Sequence, residues 1–149
     1  MNDRYLYRAK RTDNGECIVG NRIDDGVTGQ VFIHAAGNSL NESDKVGEDG
    51  CLRFVAFEVD TNKICQCTGM PDKNSKVSYE HDIIETPVGN AKIIWNCSPS
   101  PTDNHINVGF EVVFLDATSN DNYRHDLGYW IGKSKVIGNI FDNPELLER

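Results

Sequence analysis

Apolar and polar residues alternate in short runs along most of the chain, and turn-forming residues separate the runs. Alternation with a period of two is typical of β-strands. About ten such runs, at roughly 8–12-residue spacing, predict an all-β (mostly β) fold of small bent sheets rather than a βαβ fold. The shortness of the runs favours small, strongly bent sheets, and an SH3-like barrel in the C-terminal half is one form that they could take.

Individual runs give sharper expectations. Asp13-Asn14-Gly15 tolerates positive φ and predicts a tight hairpin. The run 52–60 has apolar residues on both faces and predicts a central strand. Residues 35–50, rich in Gly, Asn, Ser and Asp, predict an exposed excursion. Tyr129-Trp130-Ile131 is interpreted as a strand.

Only the end of the chain looks helical. Asn143 can cap a helix, Pro144 suits its first position and Glu145 is favourable at the positive end of its dipole. Leu146 and Leu147 would anchor this single turn. We expect one domain over 1–149, with an N-terminal β part at about 1–64 and a C-terminal β part at about 65–149.

Bulk composition narrows the classes of function. The 149 residues include 23 acids and 15 bases, for a net charge of -8, which on average repels nucleic acid. A mean hydropathy of -0.49 suits a soluble chain, and no apolar run approaches the roughly 20 residues of a membrane helix. The polar start Met1-Asn2-Asp3 resembles no signal peptide. We therefore expect a cytoplasmic protein without a membrane partner.

Five cysteines without a framework spacing suggest free thiols in a reducing compartment. Cys65 and Cys67 are two residues apart, and with Cys97 and His81 they could form a tetrahedral zinc site. Cys-x-Cys without a second matched pair is a weak signal, and free Cys is a common small core residue. We predict no metal and no cofactor.

Catalytic signatures are missing from the sequence. His81-Asp82 and His125-Asp126 each join imidazole to carboxylate, but neighbours on a strand point to opposite faces. Neither a nucleophile elbow nor a His-Glu-x-x-His motif occurs. Gly26-Val27-Thr28-Gly29 lacks the lysine of a phosphate-binding loop. We predict no catalytic residues and no enzyme activity.

Two groups of residues are candidates for binding. Arg4, Arg8 and Lys10 share one face of the first strand, opposite two tyrosines, and Arg11 follows. Cations beside aromatic rings could hold single-stranded nucleic acid, although an ordinary solvated strand face fits the acidic chain better.

The second group is aromatic. Tyr129 and Trp130 lie in a Gly-flanked segment between polar loops, and Trp95 lies in an earlier strand. Exposed tryptophan and tyrosine anchor interfaces. These three residues are the candidate contact patch.

Three stretches together resemble one known family. They are 7–16 followed by Val19-Gly20, then 65–76 running into 79–84, and finally the twelve consecutive residues 136–147. In order and spacing they are similar to the YopX family of phage and prophage proteins. The family pattern usually has an aromatic residue at the positions of Cys17 and Cys67, and glycine at those of Ser75 and His81.

The resemblance implies a compact, mostly-β fold in a bacterial cytoplasm and brings no catalytic residues. Our leading hypothesis is a phage-encoded, non-catalytic binding or interaction module. Its partner would be an unidentified host or phage protein, or a second copy in a homo-oligomer, because exposed strand edges invite pairing. The alternatives are a small nucleic-acid-binding barrel that uses the N-terminal basic strand, and a cryptic hydrolase or metal protein.

Overall fold

The computed structural model describes residues 5–35, 45–46, 48–49, 52–53, 56–99, 106–116 and 123–148. The chain folds into two compact units, Met1–Gln66 and Cys67–Arg149. Antiparallel strands dominate both units, so the mostly-β prediction is confirmed. Most of the predicted excursion at 35–50 lies outside the described residues, and Lys45–Val46 within it forms a short strand.

Unit 1 is built around an antiparallel sheet in the order β6-β3-β2-β1. The first two residues of β7, Cys65 and Gln66, add to this sheet by pairing with β1. β4 and β5 pair with each other. The strands of the unit, with a 3-10 turn at Thr61–Lys63, are β1 (Tyr7–Lys10), β2 (Cys17–Asp24), β3 (Val31–Ala35), β4 (Lys45–Val46), β5 (Leu52–Arg53), β6 (Ala56–Glu58) and the start of β7 (Cys65–Pro71).

One face of the unit 1 sheet carries its core. The buried side chains are Ala9, Val31, Ile33 and Val59, and Tyr7, Ile18 and Ile64 pack against them. In β1 the alternation is as expected, because Ala9 is buried while its neighbours are half-buried. The predicted hairpin forms between β1 and β2, with Gly15 at φ 73°.

The prediction of a central strand over 52–60 is wrong. Phe54 and Val55 lie outside the described residues, and the rest forms two short strands. Among the described strands, β6 stands at the end of the sheet order, pairs with β3 alone and is therefore an edge strand. Phe57 pairs with the buried Ile33 and is itself half-buried, as is Ala56, whereas Glu58 is exposed.

Unit 2 contains an antiparallel sheet in the order β11-β10-β9-β12. Within the unit, β7 continues from Cys67 and pairs with β8. Pairing of β12 with β9 shifts register between Val136 and Gly138. The elements of the unit are β8 (Val77–Tyr79), β9 (Asp82–Thr86), β10 (Gly89–Pro99), β11 (Ile106–Phe114), the helix α1 (Leu127–Trp130), a 3-10 turn (Ile131–Lys133), β12 (Lys135–Asn139) and a second 3-10 turn (Pro144–Leu147).

The C-terminal half does not close into the expected SH3-like barrel. Within the described ranges, β11 and β12 are the two ends of the sheet order and do not pair. Their outer edges have other partners: the Val112 N–H donates to the His125 carbonyl at 2.7 Å, and the Val136 N–H donates to the Asp72 carboxylate at 2.9 Å. The sheet is therefore open.

The prediction of a strand at Tyr129-Trp130-Ile131 is also wrong, because this segment is helical. Leu127, Trp130 and Ile131 are buried, at the i, i+3, i+4 spacing of a helix face. They join a core with the inward side chains of the sheet, which are Ile84, Ala91, Ile93, Val112, Phe114 and Val136.

The C-terminal turn forms as predicted, as a 3-10 helix over Pro144–Leu147. Its anchor and cap differ from expectation: Leu146 is half-buried, whereas Leu147 is exposed. Asn143 makes no side-chain cap and instead accepts the Asn139 N–H at 3.3 Å. No helix in the described part of the chain has the length and apolar character needed to cross a bilayer.

Candidate functional site

Trp130, at the end of α1, forms the floor of the candidate site. Only 4% of its surface is exposed. Its ring meets Phe114 edge-on, with centroids 5.4 Å apart at 84°. Its Nε1–H donates to the Arg124 carbonyl at 2.7 Å. The indole is therefore held by packing on one side and by a hydrogen bond at its polar end.

Two tyrosines stand on this floor. Tyr129 meets Trp130 at 88° with centroids 4.9 Å apart, and Tyr123 meets it at 85° and 6.0 Å. Tyr129 is 43% exposed and Tyr123 is 41% exposed. The buried Trp130 ring thus contacts two tyrosine rings that are both partly accessible to solvent.

Two cations lie over the ring of Tyr129. Lys133 Nζ is 3.5 Å from the ring centroid and Arg124 Cζ is 4.8 Å from it, within the range of cation–π attraction. Arg124 also pairs with Asp126, Nε to Oδ1 at 2.9 Å. In the described part of the chain Lys133 has no carboxylate within 4.0 Å; its contacts there are aromatic.

These side chains line a cavity of about 340 Å³, which Pro87 and Val88 of the β9–β10 turn complete. Its lining residues are Pro87, Val88, Tyr123, Arg124, Tyr129, Trp130 and Lys133. We call this cavity the aromatic pocket. Two of the lining side chains are cationic, and none of the seven carries a carboxylate.

A buried carboxylate supports the segment that carries the pocket. Asp72 is 5% exposed and its two oxygens accept three backbone N–H groups, from Asn74, Lys76 and Val136. The Lys73 N–H donates to the Ser134 carbonyl at 3.0 Å, and the Ser134 hydroxyl donates to the Trp130 carbonyl at 2.6 Å. Asp72 therefore closes the turn that contains Asn74 and Lys76 and joins this turn to the start of β12 at Val136.

The same environment shifts the titration of Asp72. Burial, the largest influence, acts to raise the pKa of this carboxyl. The three N–H donors and the Lys76 charge together outweigh burial and hold the pKa below its ordinary value.

Sequence reasoning found part of this site. Tyr129 and Trp130 meet at the pocket, although Trp130 is buried rather than exposed. Trp95 is elsewhere on β10, 47% exposed, with its ring 4.8 Å from Phe110, and it does not line the pocket. The i, i+4 spacing of Tyr129 and Lys133 could have indicated their contact. Nothing in the sequence pairs them with Tyr123, which comes from a separate loop.

The predicted basic face lies in unit 1, and Arg4 falls outside the described residues. Arg8 and Lys10 are half-buried on β1. Arg11 pairs with Asp13, Nε to Oδ1 at 2.9 Å, and covers the Phe57 ring at 3.8 Å. The Asp13 hydrogen bond raises the pKa of Arg11 and lowers that of Asp13.

A cavity of about 560 Å³ beside Arg11 has mixed charge. Lys10, Arg11 and Lys63 contribute cations, and Glu58 and Asp60 contribute carboxylates. The structure thus places two of the four predicted basic residues, Lys10 and Arg11, at one cavity among acidic neighbours.

The proposed zinc ligands are dispersed over different contacts. The buried Cys65 thiol donates to the Lys63 carbonyl at 3.7 Å, and buried Cys67 accepts the Gly69 N–H at 3.4 Å. His81 Nε2 is 2.9 Å from Glu80. The side chain of Cys97 lies outside the described residues. Among the described residues, no group of three or more His, Cys, Asp or Glu side chains is placed so that it could hold a metal ion.

The His–Asp neighbours also have separate partners. His125 Nδ1 lies 2.9 Å from the Val112 carbonyl, while Asp126 pairs with Arg124. Asp82 is buried and accepts the Tyr79 N–H at 2.9 Å. Each side chain therefore contributes to the local structure of its own strand or loop.

Comparison with known proteins agrees with the resemblance in the sequence. A comparison with curated proteins gives no match. The family model described as "YopX protein" matches residues 7–148, which is nearly the whole chain. Among the described residues, Ser75 at φ 66° and His81 at φ 70° are non-glycine residues with left-handed backbone, and they stand where the resemblance noted in the sequence implies glycine. This chain belongs to the YopX family.

Proposed function

We propose that this protein is a non-catalytic binding module that takes a protein partner at the aromatic pocket. The partner is a phage or host protein in the cytoplasm of a bacterium that carries the phage. The observation that carries the proposal is the arrangement of two accessible tyrosines on a fixed tryptophan, with Arg124 and Lys133 at the same cavity.

The residue types that line the aromatic pocket are those that often dominate the binding energy of protein interfaces. Tryptophan, tyrosine and arginine are over-represented among residues that dominate binding energy, and they cluster in preformed pockets. Trp130 is fixed by Phe114 and by its hydrogen bond, so little conformational entropy is lost when a partner side chain enters.

The chemistry of the lining supports binding rather than catalysis. The pocket offers a lysine amine, a guanidinium and two phenols, without His, Cys, Ser or a carboxylate among its seven lining residues. A nucleophile with an adjacent base, or an acid–base pair, is what a reaction centre needs.

A site-directed cross-linking experiment tests the proposal. Benzoyl-phenylalanine is placed at position 129, or at position 95 as a matched exposed aromatic site, and irradiated in the bacterial host. We expect one protein to be cross-linked from position 129, and its capture to fall when Lys133→Glu is added. Capture of the same protein from position 95 alone would move the interface off the pocket and overturn the proposal.

A further inference from the structure

We infer that the aromatic pocket takes an acidic protein segment that inserts one aliphatic or aromatic side chain, with Lys133 pairing with a carboxylate beside that anchor. The inference rests on the proposed function and specifies the chemistry of the partner.

The volume and lining fit one anchor side chain. At about 340 Å³ the cavity is at the small end of the roughly 300–1,000 Å³ range of ligand sites. Pro87 and Val88 add aliphatic groups to its aromatic lining. An aliphatic or aromatic side chain would remove this apolar lining from water without leaving a polar group unpaired.

The charges fix the sign of the flanking group. Aromatic boxes without cations favour a cationic ligand, but here Lys133 Nζ and Arg124 already lie over Tyr129. A cationic ligand would meet these two like charges, whereas a carboxylate would be attracted. Arg124 is partly neutralised by Asp126, so Lys133 is the cation best able to accept a new partner.

The ring arrangement favours a peptide over single-stranded nucleic acid. Base stacking needs an open ring face. Trp130 is 4% exposed and two cations lie over the ring of Tyr129, so of the three lining rings only that of Tyr123 has no cation over it among the described residues.

The test is an NMR titration of the full chain, following the indole N–H of Trp130, with that of Trp95 as an internal reference. The probes are a capped peptide of aspartates and glutamates around one leucine, the same peptide with glycine for leucine, its lysine counterpart, and a single-stranded oligothymidine. We expect the acidic leucine peptide to shift the Trp130 resonance, and each peptide change to abolish the shift.

Matched variants test the role of Lys133. Lys133→Glu should weaken binding of the acidic leucine peptide about tenfold, and Lys133→Arg should retain it. Lys135→Glu makes the same charge change at an exposed site outside the pocket and should leave affinity within about twofold of wild type. Unchanged amide spectra away from the pocket would show that each variant is folded.

Three results would overturn the inference. They are equal binding of the lysine peptide, a shift caused only by oligothymidine, and no shift with any peptide at millimolar concentration. If no peptide shifts the resonance but position 129 still cross-links a protein, the proposed function stands and only the inference is overturned. If position 129 cross-links nothing either, the inference and the proposed function are both overturned.

Discussion

Replacing Asp72 by asparagine should destabilise unit 2 without changing side-chain volume. In the wild-type protein Oδ1 accepts the Asn74 and Lys76 N–H groups at 2.8 and 2.9 Å, and Oδ2 accepts the Val136 N–H at 2.9 Å. An amide has one oxygen only. Whichever way Asp72→Asn turns, an NH₂ group faces a backbone donor and at least one N–H loses its acceptor.

The magnitude follows from that loss. If the amide oxygen keeps the turn, the buried Val136 N–H is left unpaired, which costs about 1–3 kcal/mol. We expect the free energy of unfolding to fall by about 2 kcal/mol, and the melting temperature by about 4–8 °C. Asp72→Ala, which also releases the turn, should cost about 3–4 kcal/mol.

The effect should depend on pH in a defined direction. Because the folded-state pKa of Asp72 lies below its unfolded value, its stabilisation is fully present above that unfolded value, about pH 3.9. It is lost as the pH falls through the lower folded-state pKa. The stability difference between wild type and Asp72→Asn should therefore be full at pH 7 and shrink below about pH 4.

Urea unfolding followed by tryptophan fluorescence measures the free energy of unfolding at each pH. The signal reports on unit 2 because both tryptophans lie there. Glu85→Gln, an exposed carboxylate on β9, is the matched control and should stay within about 0.5 kcal/mol of wild type. The reasoning is refuted if Asp72→Asn is as stable as Glu85→Gln at pH 7. A loss that stays constant down to pH 2 would also refute it.

Three further predictions come from the local geometry. Ser75→Gly should stabilise the protein by about 0.5–1 kcal/mol in the same assay, because Ser75 is exposed at φ 66°; a loss of stability would contradict this. Gly138→Ala should cost about 1–2 kcal/mol, because its Cβ would lie within contact distance of the Asn143 side chain and displace it from the Asn139 N–H; unchanged melting would count against this. Iodoacetamide with peptide mapping should label exposed Cys17 in the native protein and buried Cys65 only after unfolding; equal native rates would show that Cys65 is accessible.

Local sequence patterns predicted the elements that local chemistry determines. Asp13-Asn14-Gly15 supplied the left-handed residue of a hairpin, and Pro144 supplied the first position of a helical turn. In each case a few neighbouring residues contain the whole signal.

Features that depend on packing between distant residues were missed. The helix α1 is four residues long and contains Gly128, so the burial at Leu127, Trp130 and Ile131 was too brief to register as a helical period. The edge position of β6 depends on which strands lie beside it, which alternation does not encode.

The pocket itself required tertiary information. Tyr123 reaches Trp130 from a loop, and Pro87 and Val88 come from a turn more than thirty residues earlier. Only Tyr129 and Lys133 carry a spacing that a sequence can display. Of the three residues of the candidate contact patch, Tyr129 and Trp130 line the pocket and Trp95 does not, and the cations Arg124 and Lys133 were not among the predicted residues.

The placement of β12 beside β9 has a consequence for the rate of folding. Asp72 and Val136 are 64 residues apart in the chain, and their hydrogen bond joins the beginning of unit 2 to its last strand. Closing a loop of that length costs roughly 4 kcal/mol of chain entropy beyond a constant. The β9–β10–β11 meander, with its local pairings, should therefore assemble first, and docking of β12 should set the rate at which the sheet is completed. Until β12 docks, β9 presents an open edge, so aggregation during refolding should compete at this step.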